Sequence, residues 1–116
     1  MVNSILTSVK KYCHISEDYE DFDQDIIMLI NSSLRTLNQL GVGVKGFNIE
    51  GKDPVWDDFL GNDSENLSMA KEFVFLNVRL IFDPPAGSSA SAYDKRIQEL
   101  TLRLNVQVDP STDNVL

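Results

Sequence analysis

Apolar residues recur along this chain mostly at helical spacing, and they divide it into four stretches. In the first, "SILTSVKKYC", Asn3 or Ser4 is the cap and Ile5, Leu6, Val9 and Tyr12 or Cys13 form the apolar side. After the loop "HISEDYED" the spacing predicts a long helix from about Tyr19 to Leu40. Phe22, Ile26, Ile30, Leu34 and Leu37 run along one side of it, with Leu29, Ser33 and Leu40 beside them. Gly41 closes this helix, because glycine takes the left-handed conformation that satisfies the last carbonyls. Glu20, Asp21 and Asp23 in its first turn complement the positive end of the helix dipole.

From Val42 to Glu65 the periodicity dissolves into a glycine-rich segment, read as an ordered loop with one short helical turn at "PVWDDFL". Trp56 and Phe59 stand three apart there and are expected to pack together on the body. The third helix, "ENLSMAKEFVFLNVRLIF", is apolar around almost its whole circumference. It must therefore be surrounded, either at the centre of the bundle or by another subunit. Pro84 and Pro85 end it. Beyond the small-residue joint "DPPAGSSASA" a fourth helix starts near Ser91, with Asp94 in a variant of the capping box. Tyr93, Ile97, Leu100 and Leu104 form a narrow seam, and Glu99 and Arg103 pair on its outer side. The seam suits a helix folded back on the third one, and the joint also suits a helix placed against a neighbouring subunit. "LNVQVDP" alternates in a strand-like way and "STDNVL" trails off as a mobile tail. The expected fold is all-α: a compact bundle of about four helices over residues 1–105, with a long ordered loop between the second and third, and an extended or mobile C-terminal tail over 106–116.

Composition narrows the function. A chain of 116 residues, 42% hydrophobic and 24% charged, is one soluble globular domain. Its 10 basic and 18 acidic side chains leave a net charge of -8, which argues against direct binding to nucleic acid, since phosphate backbones are held by Lys and Arg. The same charge suits an acidic wall that repels a duplex. The N-terminus has no signal-peptide pattern and no stretch reaches membrane-span length, so the chain is expected in the cytoplasm where it is made and away from membranes.

Candidate chemistry is thin. Asp21, Asp23 and Asp25 match the first positions of a calcium loop, but Ile26 stands where glycine is needed and Ser32 where glutamate is needed, so no metal is expected. Cys13 and His14 are neighbours on a helix, pointing about 100 degrees apart, and Cys13 reads as a small packed hydrophobe. Asp57 and Asp58 are adjacent acids in a loop, which are ordinarily solvated, and "GVGVKG" lacks the spacing and ending of a phosphate loop. No catalytic, metal or cofactor residue is expected, and the chain reads as an interaction protein.

The succession "ILTSVKKYCHISEDYEDFDQDIIMLINSSLRTLNQLGVG", "WDDFLG", "FVFLNVRLIFDPP" and "RIQELTLRLNVQVD" resembles the head-to-tail connector proteins of tailed phages, also described as DNA-packaging or head-completion proteins. Asn31, Ser32 and Ser33 depart from the alanine-richer second helix of that family. The resemblance implies a helical, non-enzymatic adaptor of the virion that assembles as a ring below the portal. It would bind the portal protein on one side and a stopper or tail-completion protein on the other, and form part of a channel that DNA traverses without specific binding. Before assembly it would wait in the host cytoplasm. On that basis Trp56, Phe59, Tyr93, Leu104, Val106 and Val108 are candidate oligomer or portal contacts, and Asp18, Glu20, Asp21 and Asp23 are candidate channel-facing acids. The competing reading is an acidic soluble binding protein, a regulator or DNA mimic that occupies a basic groove.

Overall fold

A computed structural model describes residues 4–61, 66–84, 86–87 and 89–108, the side chains of 106–108 excepted. These residues form five helices: α1 (Ile5–Tyr12), α2 (Asp23–Gln39), α3 (Trp56–Leu60), α4 (Leu67–Phe82) and α5 (Ser89–Val108). The all-α expectation holds, and among the described residues the only extended pairing is one isolated bridge between Ser4 and Val55.

Ser4 caps α1: its Oγ accepts from the Thr7 N–H (3.2 Å) and donates to the Lys52 carbonyl (2.6 Å), so the helix start is tied to the long loop. The Ile5 N–H donates to the Pro54 carbonyl at 3.0 Å, completing the tie. The second helix begins at Asp23, four residues later than its spacing suggested, and Phe22 stands outside it as the N-cap. Ile26, Ile30, Leu34 and Leu37 lie fully buried along one side, as their spacing predicts.

The most apolar helix is the centre of the domain. It packs against α1, α2 and α5, with Ala70, Phe73, Val74, Leu76 and Val78 buried. The last helix folds back on α4 of its own chain through Leu100 and Leu104, both fully buried, with Tyr93 and Ile97 packed at the margin. The joint between the two thus acts as a hairpin turn within one protomer. One expectation is corrected: the strand-like segment after Leu104 continues α5 as far as Val108. A short alternation of Val and polar residues suits a helix as well as a strand. An existing helix extends at far lower cost than a new element starts. The rest of the expected tail, residues 109–116, lies outside the described residues.

The loop between α2 and α3 is held by two asparagines seven residues apart on α2. Asn31 acts as an extra peptide group, its Nδ2 donating to the Ile49 carbonyl (3.0 Å) and its Oδ1 accepting from the Ile49 N–H (2.8 Å). Asn38 Nδ2 donates to the carbonyls of Val42 (2.9 Å) and Val44 (3.1 Å), while its Oδ1 accepts from the Gly46 N–H (3.1 Å). Ser33 is buried, with its Oγ donating to the Leu29 carbonyl (3.0 Å) and accepting from Asn77 Nδ2 (2.9 Å). Two of the polar residues that set this helix apart therefore have tertiary partners, Asn31 in the loop and Ser33 on α4. Gly43 lies flat on the Phe59 ring with φ +83°, and a Cβ there would meet ring atoms at 2.3–2.7 Å, so only glycine fits.

Candidate interaction surface

Of the groups that could have carried chemistry, Cys13 and Asp58 are used in folding and His14 and Asp57 are exposed. Cys13 is buried, and burial, with Asp83 adding to it, pushes its thiol up to about 11, leaving it protonated and a poor nucleophile at neutral pH. His14 is exposed at φ 64°, in the turn that leaves α1. Asp58, third residue of α3, reaches back with Oδ2 to accept from the N–H of the N-cap Val55 at 2.9 Å, and Asp57 is exposed beside it. Among the described residues no group of three or more His, Cys, Asp or Glu is placed to hold a metal.

Surface features are better developed. The acidic turn between α1 and α2 wraps around one buried cation, Lys10. Its Nζ donates to the carbonyls of Glu17 (3.1 Å) and Tyr19 (2.7 Å) and stands 2.8 Å from Asp23 Oδ1. This anchoring leaves two aromatics outside: Tyr19 is 45% and Phe22 is 41% exposed. Their rings meet edge-on at 5.5 Å, and Phe22 meets Phe82 of α4 edge-on at 5.3 Å. Asp18, Glu20 and Asp21 are exposed around them, so the edge combines an aromatic centre with a negative rim. Asp23 is different. It is mostly covered and paired with Lys10, and its expected place among free surface acids is corrected to that of an internal ion pair.

At the other end of α2 lies a shallow groove of about 320 Å³ lined by Arg35, Asn38, Lys45, Gly46, Phe47 and Asn48. Arg35 and Asn48 also line an adjoining groove that reaches the exposed Met28.

The expected contact residues are mostly interior. Trp56 and Phe59 are buried in the core, where Trp56 Nε1 donates to Ser8 Oγ (3.0 Å) and its ring meets Phe75 edge-on at 6.0 Å. Phe59 packs against Phe47 and under Gly43. With Leu104 they build the protomer, and their assignment as contact surface is corrected on that ground: a small domain fills its centre with its largest apolar side chains. Tyr93 is partly buried and its hydroxyl accepts from Arg79 Nη1 at 3.1 Å, with the Tyr12 hydroxyl 3.5 Å away. Burial and this hydroxyl contact push Tyr12 up to about 12. The side chains of Val106 and Val108 lie outside the described residues.

An ion-pair network flanks the apolar α4–α5 contact. Arg96 grips Glu72 with two bonds (2.7 and 2.9 Å) and reaches Glu99 (2.9 Å), which also meets Arg103 (2.7 Å). The Arg96 guanidinium holds the carboxyls of both Glu72 and Glu99 below the usual glutamate range. The Glu99–Arg103 pairing agrees with the sequence spacing.

Lys10 escaped the sequence reading, although a signal was present: it follows Leu6 by four, on the apolar side of α1, shortly before a dense acidic turn. Among the described residues no helix is long and apolar enough to cross a membrane. Neither a search of curated proteins nor one of solved structures found a match. The family model for phage connector proteins matches residues 5–111, nearly the whole chain and all five helices. This chain belongs to the phage connector protein family.

Proposed function

We propose that this chain is the adaptor between head and tail of a tailed phage: a non-catalytic ring component that docks below the portal once DNA is packaged. It then receives a stopper or tail-completion protein and surrounds the path by which DNA leaves. The family match across residues 5–111 carries this reading. The fold supports it in two ways. The core is completed within one protomer, so a folded monomer can wait in the host cytoplasm until its docking site exists. The net charge of -8 disfavours retention of DNA along a channel wall. The acids of the α1–α2 turn are a poor choice for that wall, however, because Tyr19 and Phe22 stand among them and exposed aromatics are features of protein contacts.

The test is genetic. A stop codon early in this gene, in the phage or prophage that encodes it, should yield DNA-filled or DNA-leaking heads and free tails, with infectivity restored by supplying the protein in trans. Normal virions from the mutant would refute the reading, and so would heads arrested before packaging.

A further inference from the structure

From the two surfaces at opposite ends of α2 we infer how neighbouring copies meet: the aromatic, acidic edge around Tyr19 and Phe22 of one protomer docks into the groove lined by Arg35, Lys45 and Phe47 of the next. This rests on the ring reading above and deepens it by naming the contact.

Single exposed apolar residues are ordinary on a soluble protein, but Tyr19, Phe22 and Phe82 form a continuous run of rings, two of them more than 40% exposed. Around them stand Glu17, Asp18, Glu20 and Asp21, all exposed, so the matching surface must be basic with an apolar floor. The chain itself supplies one. Lys10, Arg96 and Arg103 are already paired with carboxylates inside the protomer. Among the described residues Arg35 and Lys45, like Lys11, Lys52 and Lys95, are exposed and take part in no ion pair, but these two stand together at the mouth of the groove that Phe47 lines. Phe47 lines that groove, Val44 is 49% exposed in the same loop, and Met28 is 65% exposed in the adjoining groove. Methionine is well suited to receiving an aromatic ring.

The separation of the two patches suits a contact between copies. Asp23 and Arg35 are twelve residues apart on α2, roughly 18 Å along the axis at 1.5 Å per residue, so one protomer cannot satisfy its own edge with its own groove. The two patches do not overlap, and every bound copy leaves one of each free. Contacts of this head-to-tail kind close into rings when the rotation between copies closes, and run on as open filaments when it does not, whereas a patch meeting its own copy gives a two-fold dimer.

The test uses full-length protein, mixed from isotopically light and heavy batches, with and without the portal ring. A zero-length carboxyl-to-amine coupling agent is added and the products are mapped by mass spectrometry. The expected result is mixed-isotope peptides joining Lys45 to Glu17, Asp18, Glu20 or Asp21. Reversal of either side, Asp18→Lys with Asp21→Lys or Arg35→Glu with the Lys45 amine left in place, should reduce these products at least about tenfold, because like charges then face each other. The four-fold exchange, which adds Lys45→Glu to these three, should restore mixed-isotope links between the same two segments, with the amines now at positions 18 and 21 and the carboxylates at 35 and 45. These side chains are exposed, and unchanged melting temperatures confirm that the variants fold. Mixed-isotope links centred on other lysines overturn the inference, as do no links at all or reversals without effect. If the portal still binds in those cases, the connector reading survives alone. If the links form as expected but the portal is not bound, the contact stands and the connector reading falls.

Discussion

Replacing Lys10 with methionine is expected to loosen the turn that carries the aromatic edge while sparing the rest of the core. Methionine keeps the apolar stem and removes the charge. What is lost is two charge-assisted bonds, to the carbonyls of Glu17 and Tyr19, and the pairing with Asp23 at 2.8 Å. Bonds to charged groups contribute about 1.5–3 kcal/mol each, and breaking a fully buried pair costs about 3–5 kcal/mol. Here the Asp23 side chain keeps 22% of its exposure, and residues 17 and 19 are exposed, so water can reach the abandoned oxygens. The expected net loss is therefore about 2–3 kcal/mol, which for a domain of this size lowers Tm by roughly 6–18 °C. Urea unfolding should show a lower midpoint at an unchanged slope. Adding Asp23→Asn should recover part of the loss, since the uncompensated carboxylate disappears. Hydrogen exchange should accelerate in residues 14–22 ahead of α4. A loss under about 0.5 kcal/mol, or no recovery in the double variant, would refute the view that this cation organises the turn.

Other substitutions probe the remaining joints. Asn31→Asp keeps the acceptor for the Ile49 N–H but loses the donor to its carbonyl, and is expected to cost about 1–3 kcal/mol by urea unfolding, with exchange rising first in residues 43–52. Gly43→Ala forces a Cβ into the Phe59 ring at positive φ and is expected to cost about 2–4 kcal/mol, whereas Gly46→Ala, with open space around it, should cost less. Leu100→Ala is expected to cost about 2–5 kcal/mol and to release α5 from α4 in exchange measurements. Stability should also depend on pH at both extremes. The depressed carboxyls of Glu72 and Glu99 contribute stability that is present above the unfolded glutamate value, about 4.3, and lost as pH falls through their folded values. The raised Tyr12 and Cys13 groups contribute stability present below 10.0 and 9.0, lost as pH climbs towards about 12 and about 11. Thermal melts should show both limbs, with the acid limb reduced in Arg96→Ala.

The fold was legible wherever one helical period governs burial. Ile26, Ile30, Leu34 and Leu37 were read correctly because a helix rotates each of them onto the same side. Phe22 fits the same spacing but precedes the first helical turn, where periodicity no longer dictates direction, and so it came out exposed. Asn31 and Asn38 sit seven apart on the loop side of α2, yet spacing alone does not reveal that their partners are main-chain groups of the loop that follows. Trp56 and Phe59 were legible as apolar anchors of the loop, but how deep a loop sinks depends on tertiary ties such as Ser4 to Lys52, which no local pattern shows. The candidate surface was half legible: the acids were plain, while the buried lysine that presents them needed coordinates.

The central claim is that this protein completes the head at the portal. Its most direct test is co-sedimentation of the full-length protein with the portal ring encoded in the same genome, across a salt series. The account predicts binding that persists at moderate salt with a fixed ratio of connector to portal subunit. No binding at high protein concentration, or a ratio that never saturates, would contradict it.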